Sequence, residues 1–255
     1  MRLKGRTALV TGGSQGIGEA IALRFGAEGA TVGVVASGNR DKAAAVAEKV
    51  KLAGGSALAF VADVRSVKEV EALAREAEAK LGRVDILVNS AGVFYPTKIG
   101  ETTEADYDQT MDVNVKGTFF CVHAIAPGMM KRKSGNIINI TSVAGQVGMG
   151  GYSVYCGSKA AIITMTKALA VELAPHGIRV NAIAPGNTAT PMNLNIRTDP
   201  KFKPMLDYMA SRTPSGRTYS EAEDTAGAVL YLASDDSRAM HGATMVLDEG
   251  ITAGL

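Results

Sequence analysis

Tyr155 and Lys159 stand four residues apart in a stretch that reads as helix, so their side chains share one face and can line a single cleft. A phenol beside an ammonium is acid/base chemistry. A free tyrosine ionises near pH ~10, and work at neutral pH needs about 4 kcal/mol of help toward the phenolate. A cation ~4 Å away in a medium of effective dielectric ~20 supplies roughly that much, before desolvation subtracts its share. Lys159 is one candidate for that cation, and the positively charged ring of a bound oxidised cofactor is the other. Tyr152 is an internal control: four residues after it stands Cys156, not a lysine, so Tyr152 is expected at most to touch substrate. Cys156 projects ~100° around the helix from Tyr155 and reads as core packing. Ser142 follows the apolar run 137–141, which puts its hydroxyl at the carboxyl end of a strand, where open α/β sheets bind ligands. Successive strand residues point to opposite faces, so only one of Thr141 and Ser142 can face the cleft.

A second chemistry lies near the amino terminus. The segment Thr11-Gly12-Gly13-Ser14-Gln15-Gly16-Ile17-Gly18 follows the first apolar run and opens the first helical pattern. Glycines there permit a tight turn and close backbone approach to a pyrophosphate, while the helix start offers free N–H groups and the positive end of its dipole. Sites selective for NAD place an acid at the end of the second strand to bond the ribose 2′-hydroxyl. Here that position is Ala36, followed by Ser37, Gly38, Asn39 and Arg40. Ser37 and Asn39 can bond a 2′-phosphate and Arg40 can pair with it, so NADP(H) is the favoured cofactor and NAD(H) the alternative.

The elements that must hold these groups alternate along the chain. Short β-branched runs at 7–11, 31–36, 57–61, 84–89, 135–141, 178–184 and 244–248 read as strands, rich in Val, Ile, Leu and Ala as doubly covered strands should be. Helical patterns fill 16–28, 41–53, 66–81, 104–132, 152–175 and 221–233, with Asp41, Ser66 and Ser220 as N-cap candidates. Strand–helix alternation from the first residues predicts a doubly wound parallel sheet flanked by helices, in one domain over 1–255. The stretch 185–217 is the exception. It carries Pro185, Gly186, Pro191, Pro200, Pro204 and Pro214, and is expected to form a substrate lid containing a short helix.

Bulk properties narrow the classes further. Apolar residues make up 46% and charged residues 20% of the chain, an ordinary globular balance that excludes a disordered chain. Twenty-seven basic against 25 acidic residues, spread throughout, give no basic stripe for nucleic acid. The start lacks the length and flanks of a signal peptide or membrane span, so a cytoplasmic protein is expected. Cys121 and Cys156 are too few for a disulfide framework, and His123, His176 and His241 lack ligand spacing, so no structural metal is expected.

The spacing of Gly12, Gly16 and Gly18 resembles the fingerprint of the short-chain dehydrogenase/reductase family. Further segments match that family in order: Asp63-Val64, Asn89-Ser90-Ala91-Gly92, Ser142 with Tyr155-Cys156-Gly157-Ser158-Lys159, and Pro185-Gly186 followed by Thr190. The resemblance implies a single Rossmann domain with a seven-stranded parallel sheet, assembled as a homotetramer. It implies Ser142, not Thr141, as the residue holding the substrate oxygen, and Lys159 as a bond to the nicotinamide ribose. Asn114 matches the asparagine that anchors a water leading to that lysine. Asp63 and Val64 match the adenine contacts; Asn89, Ala91 and Gly92 match the ribose-side loop, with Ser90 replacing the more usual second asparagine. Thr188 and Thr190 match the residues that meet the nicotinamide carboxamide.

The chain is thus expected to interconvert a secondary alcohol and a ketone. Hydride would pass between nicotinamide and carbonyl carbon, Ser142 and Tyr155 would hold the oxygen, and Lys159 with the Asn114 water would reload the tyrosine. Val93, Phe94, Tyr95, Gln146 and Met192 are the expected pocket residues, and the apolar lid side chains suit a small or medium organic carbonyl such as a ketone or 3-oxoacyl thioester. A sugar or polyol dehydrogenase is the alternative within the family. A cofactor-binding redox sensor without turnover is the alternative outside it, and loss of Ser142, Tyr155 or Lys159 would be its mark.

Overall fold

The apolar runs become seven parallel strands because each offers hydrophobic side chains to both faces. In the computed structural model, which describes residues 1–253, they are β1 Thr7–Thr11, β2 Thr31–Ala36, β3 Ser56–Val61, β4 Ile86–Asn89, β5 Gly135–Ile140, β6 Ile178–Pro185 and β7 Thr244–Leu247. They form one sheet in the order β3-β2-β1-β4-β5-β6-β7, every neighbouring pair parallel. This is the doubly wound order expected from the sequence. Alternation within each strand divides the core in two. Ala8, Val10 and Ile138 pack toward Ile21, Phe25, Val46 and Leu230, while Leu9 and Ile137 pack toward Leu73, Val122, Met129 and Leu173.

The helices supplying those faces are α1 Gly16–Ala27, α2 Arg40–Leu52, α3 Val67–Leu81, α4 Glu104–Met111, α5 Gly117–Arg132, α6 Ser153–Leu173, α7 Leu194–Thr198, α8 Lys203–Arg212 and α9 Ala222–Ala233. The pattern at 104–132, read as one helix, is two helices joined by a π-helical turn over Asp112–Lys116. The caps also differ in part. Ser66 caps α3 as expected, its hydroxyl accepting from the Glu69 N–H. Asp41 does not cap α2: Asn39 does, with Oδ1 accepting from the N–H groups of Asp41 and Lys42 at 2.9 and 3.3 Å. Nor does Ser220 cap α9. Glu221 does, in a reciprocal box with Asp224, while the Ser220 hydroxyl donates to the Asn187 carbonyl. In both cases several polar residues precede the helix, and backbone geometry alone decides which has the extended φ/ψ that a cap needs.

Strand order reverses direction between β1 and β4, so the loops leaving their carboxyl ends diverge and open a crevice. The stretch 185–217 begins at the end of β6 and consists of short elements: a 3₁₀ turn over Pro191–Asn193, α7, a second 3₁₀ turn over Pro200–Phe202, and α8. No helix among the described residues is long and apolar enough to cross a membrane.

Candidate active site

The crevice is a cavity of about 730 Å³ whose wall runs from the glycine-rich turn, past the ends of β4 and β5, to α6 and the stretch after β6. Its glycines are there for space. Gly12 has φ +64°, and a Cβ on it would lie 2.8 Å from the Ala91 backbone; a Cβ on Gly18 would collide with the Gly12 carbonyl. The loops after β1 and β4 therefore touch backbone to backbone. Gln15, the cap residue before α1, makes no side-chain cap bond, so the first N–H groups of that helix are left without a side-chain partner. Ser14, Gln15, Gly16 and Ile17 line the cavity beside them. A bare helix start on a glycine turn fits a diphosphate.

At the β5 end, Ser142, Tyr155 and Lys159 line the same cavity. Ser142 starts the 3₁₀ turn after β5, and its Oγ accepts from the Ala144 N–H at 3.1 Å, which fixes its rotamer. Thr141 turns the other way and donates to the Lys159 carbonyl at 2.8 Å, although part of it also reaches the cavity wall. Lys159 Nζ donates to the Ile140 carbonyl at 3.1 Å and lies 5.6 Å from the centre of the Tyr155 ring. Burial shapes both titrations. It pushes the Tyr155 phenol up to about 12, with the Ser142 hydroxyl pulling the other way, and it pushes Lys159 down to about 8. In the protein alone burial outweighs any lowering of Tyr155, which leaves the second candidate, the charged ring of a bound cofactor, to supply it.

Asn114 lies in the π turn and is fully buried. Its Oδ1 accepts from the Val93 N–H at 2.9 Å, and its Nδ2 donates to the Val93 carbonyl at 3.1 Å and to Ser158 Oγ at 3.0 Å. Ser158 in turn donates to the Tyr155 carbonyl at 2.7 Å. The amide therefore ties the loop after β4 to the turn of α6 that carries Tyr155 and Lys159. Its main-chain oxygen accepts from Thr118 Oγ1 at 2.7 Å. Gly92 completes the junction, since a Cβ there would meet Asn114 Oδ1 at 3.4 Å and Lys159 Nζ at 3.5 Å.

At the opposite end, Ser37, Asn39, Asp63 and Val64 line the cavity. Arg40 does not. The cations in the wall there are Lys42, the third residue of α2, and Arg65. Arg65 is held by Asp63 at 2.6 Å, and the guanidinium keeps the Asp63 carboxyl below its usual range. Asn39 spends its oxygen on the cap, which leaves its Nδ2 to donate outward.

Of the remaining expected residues, Ala91, Gly92, Val93, Phe94, Tyr95, Pro185, Gly186, Thr188, Thr190 and Met192 lie in the wall. Three do not. Asn89 is buried behind it, its Nδ2 donating to Asn139 at 2.9 Å; Gln146 points to solvent; Tyr152 stacks behind Phe94 at 4.5 Å. Cys156, read as core, is only half-buried. Of the apolar set in 185–217, only Met192 and Met209 reach the cavity. Ile251 and Thr252 also line it, unforeseen from sequence, although chain leaving the carboxyl end of β7 must emerge at the ligand edge of the sheet. No group of His, Cys, Asp and Glu among the described residues could hold a metal ion.

A family model described as enoyl-(acyl carrier protein) reductase matches residues 12–252. The chain is 39% identical over 246 residues to a 3-oxoacyl-(acyl-carrier-protein) reductase, FabG, of Staphylococcus epidermidis, covering 96% of this chain and 98% of that one. Among solved structures it resembles a gluconate 5-dehydrogenase of Burkholderia cenocepacia in complex with NADP and tartrate, with TM-score 0.94 and 34% identity over 100% of this chain and 98% of the other. It also resembles a short-chain type dehydrogenase/reductase of Mycobacterium marinum, with TM-score 0.90 and 35% identity over 98% and 96% of the two chains.

Proposed function

The chain belongs to the short-chain dehydrogenase/reductase family, and on that premise we propose that it is an NADP(H)-dependent oxidoreductase that reduces a ketone, with Tyr155 as proton donor. The observation that carries this reading is a phenol and a serine hydroxyl lining one cavity with a buried lysine and a glycine cradle. Bound nicotinamide would supply the hydride. Ser142 and Tyr155 hold the carbonyl oxygen, and as charge builds there Tyr155 gives up its proton to the alkoxide. Lys159 brings positive charge to the phenolate left behind. Asn114 acts through position, because its amide is consumed in bracing the loop after β4 against α6.

The same reading assigns the diphosphate to the glycine turn with Ser14, Gln15 and Ile17, the adenine to Asp63 and Val64, and the carboxamide to Thr188 and Thr190 beside Pro185 and Gly186. Lys42 replaces Arg40 as the cation for a 2′-phosphate, since it and not Arg40 reaches the cavity. The stretch 185–217 serves as the lid. Assembly as a homotetramer belongs to the same reading, supported by Phe119 and Val171, which stand 41% and 79% exposed on α5 and α6.

The test is NADPH oxidation across ketones, 3-oxoacyl thioesters and sugar ketones, with Tyr155→Phe beside the wild type. The variant is expected to lose about 10³-fold in kcat while binding NADPH within about threefold of the wild type. Wild-type turnover in Tyr155→Phe would remove the tyrosine from the mechanism.

A further inference from the structure

Phe94 is held from both ends. One residue before it, Val93 is clamped on both backbone groups by Asn114. Three residues after it, Thr97 pairs with the start of α6: its N–H donates to the Gly151 carbonyl at 2.6 Å, and its Oγ1 accepts from the Val154 N–H at 3.3 Å. Between these clamps the Phe94 ring lies parallel to Tyr152, with centroids 4.5 Å apart and planes 2° from coincident, and at 79° to Tyr155 with centroids 4.8 Å apart. Phe94 is in the cavity wall and Tyr152 is not. The cavity therefore meets an aromatic surface backed by a second ring, abutting the phenol that gives up the proton.

The charge around that surface is one-sided. Among the described residues the ionised groups in the wall are Lys42, Asp63, Arg65 and Lys159. The first three follow β2 and β3, which the strand order sets at the far edge from β5 and β6. Lys159 is buried, with its ammonium on the Ile140 carbonyl. On the side of the cavity that holds Phe94 the wall carries Val147, Met149, Met192 and Met209, together with the uncharged polar side chains of Asn187, Thr188, Thr190 and Asn193. A carboxylate or phosphate on the substrate would enter this end without a counter-ion.

We infer that the substrate is an uncharged ketone with an aromatic or comparably flat apolar substituent next to the carbonyl, and that Phe94 selects it by packing against that substituent. The inference rests on the reading of Tyr155 as the proton donor to a carbonyl. An extended aliphatic chain gains less from a rigid aromatic wall, because ring-on-ring contact adds to simple burial. An acid would bring a carboxylate to a side of the wall whose one cation, Lys159, is buried and bonded to the Ile140 carbonyl.

The experiment compares three ketones under NADPH: a phenyl ketone, an aliphatic methyl ketone of equal carbon number, and a keto-sugar acid. Wild-type protein is expected to give the phenyl ketone a kcat/KM about tenfold above the aliphatic one, with the sugar acid slowest. Phe94→Leu should bring the phenyl-to-aliphatic ratio to within about twofold of unity. Calorimetric binding of the phenyl ketone alone should weaken in parallel. Fastest turnover of the sugar acid or the aliphatic ketone, or an unchanged ratio in Phe94→Leu, would overturn the inference and leave Tyr155 in place. No turnover of any of the three would overturn the reductase reading and the inference together.

Discussion

The two ends of the cavity are built on different principles. Around β1, β2 and β3 the wall is backbone and charge: glycines at contact distance, a bare helix start, and Lys42, Asp63 and Arg65. Around α6 and the stretch after β6 it is side-chain packing, with Phe94 stacked on Tyr152 behind it and three methionines in the wall. Backbone sites tolerate no added atom but accept any side chain pointing away. Packed sites accept many sequences and change their ligand with each. One end should therefore be general to the family and the other particular to this chain.

A paired glycine substitution breaks that comparison most forcibly. Gly12→Ala adds a methyl at 2.8 Å from the Ala91 backbone in a conformation with φ +64°. Left-handed strain of ~1–2 kcal/mol and the clash together should weaken NADPH binding by about 30-fold or more, measured by fluorescence titration. Gly148→Ala, in the wall on the loop between β5 and α6, meets open space and should leave NADPH binding within about twofold. Circular dichroism of both variants separates local from global damage. Equal losses at the two positions would erase the distinction between the ends.

The sequence made the first end legible and the second only partly so, for the same physical reason. Gly12, Gly16 and Gly18 are readable because only glycine fits a turn so close to a second backbone, and β1 and β2 match their expected bounds because both faces are buried. The π turn at Asp112–Lys116 was hidden, since one extra residue per turn barely disturbs an apolar pattern of period 3.6. Tyr152 and Phe94 both read as substrate contacts, yet one screens the other from the cavity, and stacking order is set by Thr97 bridging to α6. Gln146 follows Ser142 closely in sequence, but the 3₁₀ turn over Val143–Gly145 rotates it outward.

The proton chemistry gives a smaller effect that sharpens where the halves join. Lys159 has its pKa lowered to about 8 by burial, so it is charged below that pH and loses its charge as pH rises through it. Without the ammonium the phenolate left by Tyr155 is unsupported, so kcat/KM for reduction should fall about tenfold per pH unit above pH about 8. Lys159→Arg keeps its charge at higher pH and should push that limb upward at a reduced maximal rate. A wild-type profile flat through pH ~9.5 would exclude Lys159 as the titrating group.

The smallest effect concerns the cation at the far end, where exposure dilutes every charge. Lys42 reaches the cavity and Arg40 does not, although both stand at the exposed start of α2. An exposed ammonium on a 2′-phosphate contributes about 1 kcal/mol, so Lys42→Ala should lower the preference for NADPH over NADH about fivefold, and Arg40→Ala by less than about twofold. Asn39 complicates the same corner because its oxygen holds the first turn of α2. Asn39→Ala should cost about 1 kcal/mol of stability, a fall of about 2–4 °C in Tm, whether or not cofactor is bound. Asn39→Asp keeps the cap and should recover that stability while setting a carboxylate against the phosphate. It should therefore shift preference toward NADH with Tm restored, and a variant that recovers Tm but keeps its NADPH preference would place the 2′-phosphate away from this loop.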